Sequence, residues 1–173
     1  HPQVDLLYCD EDKLQDGRYV WPVFKPAFNK DLLYSYNYVT HMLMVSRHAL
    51  KRVDLSEADV SGAQDYDLTL KCVEVARDIR NVSHKLYHWR EHPGSTSANA
   101  QSKPYAVEAG RLALQRHFDR MNLPAKVESL PAMFRYRARY EHADEPKVSI
   151  VIPTKDHIDL LRACLTSVIE KTT

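Results

Sequence analysis

Val4-Asp5-Leu6-Leu7-Tyr8-Cys9-Asp10-Glu11-Asp12 is the stretch whose reading decides the fold. Val4 to Tyr8 is a short apolar run with the character of a buried strand. It leads straight into three consecutive acidic side chains. In extended chain the side chains repeat every two residues, so Asp10 and Asp12 share one side. Two such carboxylates at the end of a strand suit a hard divalent cation bound through oxygen. A cation there can bridge nucleotide phosphates and neutralise a departing diphosphate. The same three residues also read as a solvated acidic turn ahead of Asp16-Gly17, and the pattern alone leaves both readings open.

Outward from this point, short strands and helices alternate, which predicts an α/β protein. Arg18 to Phe24 returns as a second strand, with Pro22 and Pro26 limiting its regularity. A short helix follows from Asn29 or Lys30 to Tyr34. Tyr38 to Val45, rich in β-branched and aromatic residues, reads as a strand. Ser46 caps a helix carrying Ala49, Leu50 and Val53. After a polar loop, residues 65–76 have helical spacing. Ile79 to Val82 and Lys85 to Trp89 read as two short strands, and residues 91–102 as a loop. Lys103 to Met121 is the longest helix, ended by Asn122 and Pro124. The charged stretch 141–146 has linker composition. Beyond it, Val148 to Ile152 reads as a buried strand, Pro153 to Asp156 as a loop, and residues 157–170 as a helix with Leu160, Leu161, Cys164, Leu165 and Val168 inward.

Composition narrows the function classes. The 173 residues suffice for an ordinary domain with a core, at 44% apolar and 27% charged residues. A formal net charge of +1 argues against a nucleic-acid surface. No apolar run approaches the roughly 18 residues that span a bilayer. The 3 cysteines, Cys9, Cys72 and Cys164, are odd in number and far apart. They fit reduced core thiols of a cytoplasmic protein better than a disulfide framework.

Two further clusters carry candidate chemistry. Gln64-Asp65-Tyr66-Asp67 opens a helix after Ser61-Gly62-Ala63. Asp65 or Asp67 can serve as a general base toward a hydroxyl. Either can equally just stabilise the first turn through the helix dipole, by about 0.3–1 kcal/mol. Tyr87-His88-Trp89-Arg90-Glu91-His92-Pro93-Gly94-Ser95-Thr96-Ser97 gathers aromatic, basic and hydroxyl residues. His92 suits a third metal ligand and Arg90 a phosphate. The plainer alternative is a surface loop anchored by Trp89.

Taken in order, these segments resemble the family 2 inverting glycosyltransferases of GT-A fold, and more closely the bacterial members that build O-antigen and other surface polysaccharides. The resemblance rests on Tyr8-Cys9-Asp10-Glu11-Asp12-Lys13, Phe24-Lys25-Pro26, Asp31-Leu32-Leu33 with Asn37-Tyr38, Gly62 to Leu68, Tyr87 to Thr96 and Lys103-Pro104-Tyr105. Val148 to Asp156 resembles the opening strand and nucleotide loop of another such domain. The resemblance implies an incomplete GT-A, Rossmann-like nucleotide-diphospho-sugar transferase fold. Residues 1–140 would be the C-terminal metal and acceptor part of one domain, 141–146 a linker, and 147–173 the first βα unit of a second, truncated domain. The strands that hold the nucleotide base would precede this chain, leaving it a piece of a longer enzyme and a poor catalyst alone.

The implied roles follow the matched motifs. Asp65 is the expected catalytic base. Asp12 and Asp10, with His92, are the expected ligands of Mn2+ or Mg2+. Asp10, Gln64 and Arg90 would meet the donor, although the family has Glu where Gln64 stands. Asn37, His41 and Asp67 would lie toward the acceptor, and Pro153, Thr154 and Asp156 would form the second domain's nucleotide loop. The implied partners are a UDP-, dTDP- or GDP-sugar and a glycan or lipid-linked glycan acceptor. The implied location is the cytoplasm, with peripheral association at the cytoplasmic face of the inner membrane. The rival expectation is a non-catalytic carbohydrate-binding or assembly module derived from the same fold.

Overall fold

The computed structural model describes residues 3–56, 60–90, 104–131, 134–141 and 147–171. The chain divides into two units, residues 1–141 and 142–173. The expected loop 91–102 lies outside the described residues, as does all of the expected linker except Glu141.

The first unit is mixed α/β, as the pattern predicts. Its centre is β1 (Leu6–Gln15), longer than the apolar run that announces it. The acidic cluster therefore lies inside the strand rather than beyond its end. β1 continues because it has partners on both edges. β4 (Ile79–Arg90) runs parallel along one edge, from Leu6↔Ile79 to Leu14↔Arg90. The other edge is shared between two antiparallel strands. β2 (Arg18–Val23) pairs Glu11 to Gln15, and β3 (Leu43–Val45) pairs Leu6 to Tyr8. The two short strands expected between Ile79 and Trp89 are one continuous strand, with register shifts around Asp10.

Among the described residues of this unit, four helices accompany the sheet. α1 (Lys30–Ser35) is capped by Asn29, whose Oδ1 accepts the Leu32 N–H at 2.9 Å. α2 (Arg47–Leu50) is capped by Ser46, as expected. α3 (Gln64–Val75) has no side-chain cap from Ala63, and α4 (Pro104–Arg120) begins on a proline, where a missing N–H costs nothing. A hairpin of β5 (Ala125–Ser129) and β6 (Tyr136–Tyr140) completes the unit. The main core joins Tyr8, Leu33, Tyr66, Leu70, Leu114 and Phe118, with Val127 and Tyr136 from the hairpin; a second cluster packs Leu6, Ala49 and Cys72.

Two buried polar networks tie the elements of this unit together. Asp5, just before β1, accepts two bonds from the Arg77 guanidinium (2.7 and 2.9 Å), one from the Arg77 N–H and one from Ser46 Oγ at 2.6 Å. Buried His117 on α4 meets Glu74 of α3 at 2.7 Å and the Tyr34 hydroxyl of α1 at 3.1 Å, and Arg120 forks onto the same Glu74.

The second unit contains α5 (Ile158–Lys171). Residues 148–152, expected as a buried strand, form no strand here, and Val148 and Val151 are exposed. No residue of α5 is buried, so the inward face expected for Leu160 and Leu165 is uncovered. Cys9 and Cys72 are buried free thiols as expected, whereas Cys164, expected inward, is exposed.

Candidate functional site

The acidic stretch of β1 splits across the strand. Asp10 and Asp12 are both buried and find protein partners. Asp10 Oδ1 accepts the Lys25 N–H at 2.9 Å. Asp12, only 2% exposed, has Oδ1 2.5 Å from His88 Nδ1 and Oδ2 3.6 Å from Lys85 Nζ. His88 is held in turn by the Tyr19 ring at 4.3 Å. Glu11 faces the other way. Its Oε2 accepts the His41 N–H at 2.6 Å and lies 3.4 Å from both Lys25 Nζ and His41 Nδ1. Burial pushes the Glu11 carboxyl up, but the His41 contacts and the Lys25 charge outweigh it and hold the group below its ordinary value.

Glu11 opens onto a cleft of about 750 Å³. Asp65, in the first turn of α3, lines the same cleft, as do Asn37 and His41. Asn37 Nδ2 reaches Asp65 Oδ2 at 3.3 Å. Around them stands an aromatic wall of Tyr36, Tyr66, Trp89, Phe134 and Tyr136. His41 stacks on Tyr87 with centroids 5.0 Å apart and also approaches Trp89 at 5.0 Å. The Arg135 guanidinium sits 3.9 Å over the Tyr36 ring, and Tyr66 stacks on Tyr136 at 5.8 Å. Burial, with the negative charge of Asp65 adding to it, pushes the Tyr136 hydroxyl up to about 12. It therefore stays protonated and donates to the Val107 carbonyl at 3.2 Å. The chemistry on offer is one carboxylate with a single described side-chain partner, amid rings that can face the C–H surfaces of a sugar.

The structure thus brings together three of the expected residues, Asp65, Asn37 and His41. Five others stand outside the cleft lining. Asp10 and Asp12 are engaged as above. Gln64 accepts the Gly62 N–H at 2.9 Å, closing the turn before α3. Asp67 is buried and paired with Lys71 at 2.9 Å, one turn further along α3. Arg90 is the last residue of β4, paired in register with Leu14. His92 lies outside the described residues. In the second unit, Pro153 and Thr154 line a hollow of about 250 Å³ with Leu160 and Cys164, and Asp156 sits at φ 57° beside it.

The donor chemistry of the carboxylates bears on a cation site. Asp12 has each oxygen engaged by a cationic or imidazole nitrogen, and Asp10 has one oxygen on a backbone N–H. Among the described residues no group of three or more His, Cys, Asp and Glu side chains converges as a metal-holding set. The described donors alone do not make up a divalent-cation set, and His92, the third expected ligand, lies outside the described residues.

Glu11, Trp89, Tyr36 and Arg135 are among the cleft residues that sequence reasoning did not assign. Glu11 carried a signal, since it alternates with the two aspartates. Tyr36 and Arg135 carried none, because they reach the cleft only through the packing of α1 and the β5–β6 hairpin.

What these features define is an α/β protein with an acidic, aromatic-walled cleft beside its central strand. No family model matches the chain. It is 40% identical over 178 residues to the Sinorhizobium fredii protein called uncharacterized protein y4gI. It is also 40% identical over 172 residues to the O-antigen biosynthesis protein RfbC of Myxococcus xanthus. Each match covers 99% of this chain but only 19% and 13% of the two relatives, so the chain spans a small part of their length. Among the described residues no helix is long and apolar enough to cross a membrane.

Proposed function

We propose that this chain contributes the acceptor side of a sugar-transfer site in surface polysaccharide biosynthesis. The observation that carries the reading is the cleft in which Asp65 stands beside Asn37 among Tyr36, Tyr66 and Trp89. Aromatic faces and a few hydrogen-bonding groups suit a glycan, and the name of the Myxococcus relative agrees with that class of pathway. The finer reading is an inverting glycosyltransferase of GT-A type. Asp65 takes the proton of an acceptor hydroxyl while that oxygen attacks the anomeric carbon of a UDP-, dTDP- or GDP-sugar. The bond from that carbon to the diphosphate oxygen breaks on the opposite face, so configuration inverts in one displacement. Asn37 orients the Asp65 carboxylate, and the aromatic wall orients the acceptor.

The protein expressed from its full gene, assayed with a panel of nucleotide sugars and lipopolysaccharide-derived acceptors, tests this. Asp65→Asn is expected to lower transfer by roughly 10²- to 10⁴-fold, the range for a lost general base. Unchanged rates in that variant would remove Asp65 from the chemistry. A second reading, a carbohydrate-binding or assembly module without turnover, is favoured by the engagement of both Asp12 oxygens. Glycan binding without transfer from any donor in the panel would select it.

A further inference from the structure

Lys25 is the least expected side chain near the cleft, because a lysine only 7% exposed must find every proton a partner. Two of its three partners lie on one short segment. Nζ donates to the carbonyls of His41 (2.8 Å) and Val39 (3.1 Å) and reaches Glu11 Oε2 at 3.4 Å. Glu11 then accepts the His41 N–H. One cation and one anion thereby hold three backbone groups of residues 39–41. That segment carries Thr40 and His41 into the cleft wall. It has no strand partner there, since β3 begins only at Leu43. These side chains stand where a ladder would otherwise be, because buried backbone groups require partners.

Building on the glycan-site reading above, we propose that Lys25 and Glu11 are positioning residues. Together they fix the Val39–His41 segment so that the His41 ring, stacked on Tyr87 and next to Trp89, forms one side of the sugar-facing wall. All the hydrogen bonds and ion pairs described for Glu11 fall on Oε2, and all go to Lys25 and His41. Glu11 therefore acts through His41, although its sequence neighbours make it look like a member of a cation-binding motif.

A cycle of Lys25→Met, Glu11→Gln and the double variant separates positioning from simple stability. Each single change strands a buried charge, so both are expected to lower the melting temperature. The double variant strands neither and is expected to recover most of that loss. It still lacks the donors to the Val39 and His41 carbonyls. On the 173-residue chain, His41 amide exchange is therefore expected to be roughly tenfold faster or more in Lys25→Met and in the double variant. The upfield shift that the Tyr87 ring imposes on the His41 ring protons is expected to shrink with it. Titration with lipopolysaccharide O-chain oligosaccharides, read by Trp89 fluorescence in a Trp21→Phe background, is expected to show about tenfold weaker binding in the same two variants. A double variant that regains exchange protection and ring shift along with melting temperature would overturn the proposal. So would Glu11→Gln weakening oligosaccharide binding with His41 exchange and shifts unmoved, since that marks a direct sugar ligand. If the unmutated chain binds no oligosaccharide, the glycan reading fails, while exchange and ring shifts still decide whether Lys25 and Glu11 hold the segment.

Discussion

Asp5 shows how far one buried carboxylate reaches in this molecule. It joins the start of β1 to the cap of α2 through Ser46 and to the α3–β4 turn through Arg77. The Arg77 side chain first, then Ser46 and the Arg77 N–H, hold the Asp5 carboxyl well below its ordinary value despite burial. A carboxyl depressed in the folded state adds stability at every pH above its unfolded value of about 3.9 and loses it as pH falls below. The melting temperature is therefore expected to drop as pH falls below about 4, and Asp5→Asn to flatten that dependence while lowering the plateau at neutral pH. Glu11 and Glu74 are also held below their ordinary value, by His41 with Lys25 and by His117 with Arg120 overriding burial, so some slope remains. Thermal melts of both proteins from pH 3 to pH 7 check this; parallel curves would refute the role. At this scale the sequence was legible where a local rule applied. Ser46 caps a helix, and Asp65 stands in a first turn, because both roles depend on neighbours within four residues. Glu11 was not legible. Period-two alternation shows that it opposes Asp10 and Asp12, but both faces of β1 are covered, and only tertiary packing decides which face meets the cleft.

Single elements obey the same division between local and distant causes. Residues 38–45 have strand composition, yet only Leu43–Val45 pairs, because Lys25 and Glu11 take the backbone groups of residues 39–41. β5 and β6 escaped sequence reading for the opposite reason. Lys126, Glu128, Arg137 and Arg139 are polar neighbours of each other across the hairpin, and only the short, interrupted set Val127 and Tyr136, with Ala125 and Ala138 packed beside them, meets the core. The hairpin earns its place through α4, whose Gly110 leaves room for the Tyr136 hydroxyl. Gly62 is the second close approach. It has φ +95°, and an added Cβ would lie 2.8 Å from Ala106 Cβ and 2.9 Å from the Tyr105 ring. Gly62→Ala must therefore both strain the turn before α3 and push that turn away from α4. A loss of about 2 kcal/mol or more is expected from denaturant midpoints, from the backbone conformation and overpacking together. A loss under half a kcal/mol would show that the α3–α4 contact is loose. Because Gly62 also lines the cleft, oligosaccharide affinity is expected to fall in the same variant.

Across the whole molecule the two units differ in what can hold them together. In residues 1–141, β1 has partners on both edges, and the Tyr34–His117–Glu74–Arg120 network joins α1, α3 and α4 around a continuous core. Opening any one of those elements exposes buried apolar surface and leaves a charge without its partner, so the unit must open nearly all at once. In the second unit α5 has no buried residue, and Ile158, Leu160 and Ile169 are exposed. Its 14 residues lie near the length at which an isolated helix is marginal in water. Sequence reasoning gave this helix an inward face because its apolar spacing is genuine; periodicity says which residues share a side, and only a covering layer makes that side an interior. Hydrogen exchange on the 173-residue chain is expected to resolve the two. Amides of β1 and of the middle of α4 should exchange only through global opening, with one shared free energy that falls together in denaturant. Those of α5 should exchange within roughly tenfold of unstructured peptide rates and respond little to denaturant. Protection of α5 matching that of α4 would mean that its apolar face is covered in solution, and dilution would then show whether a second copy covers it, since only that protection depends on concentration.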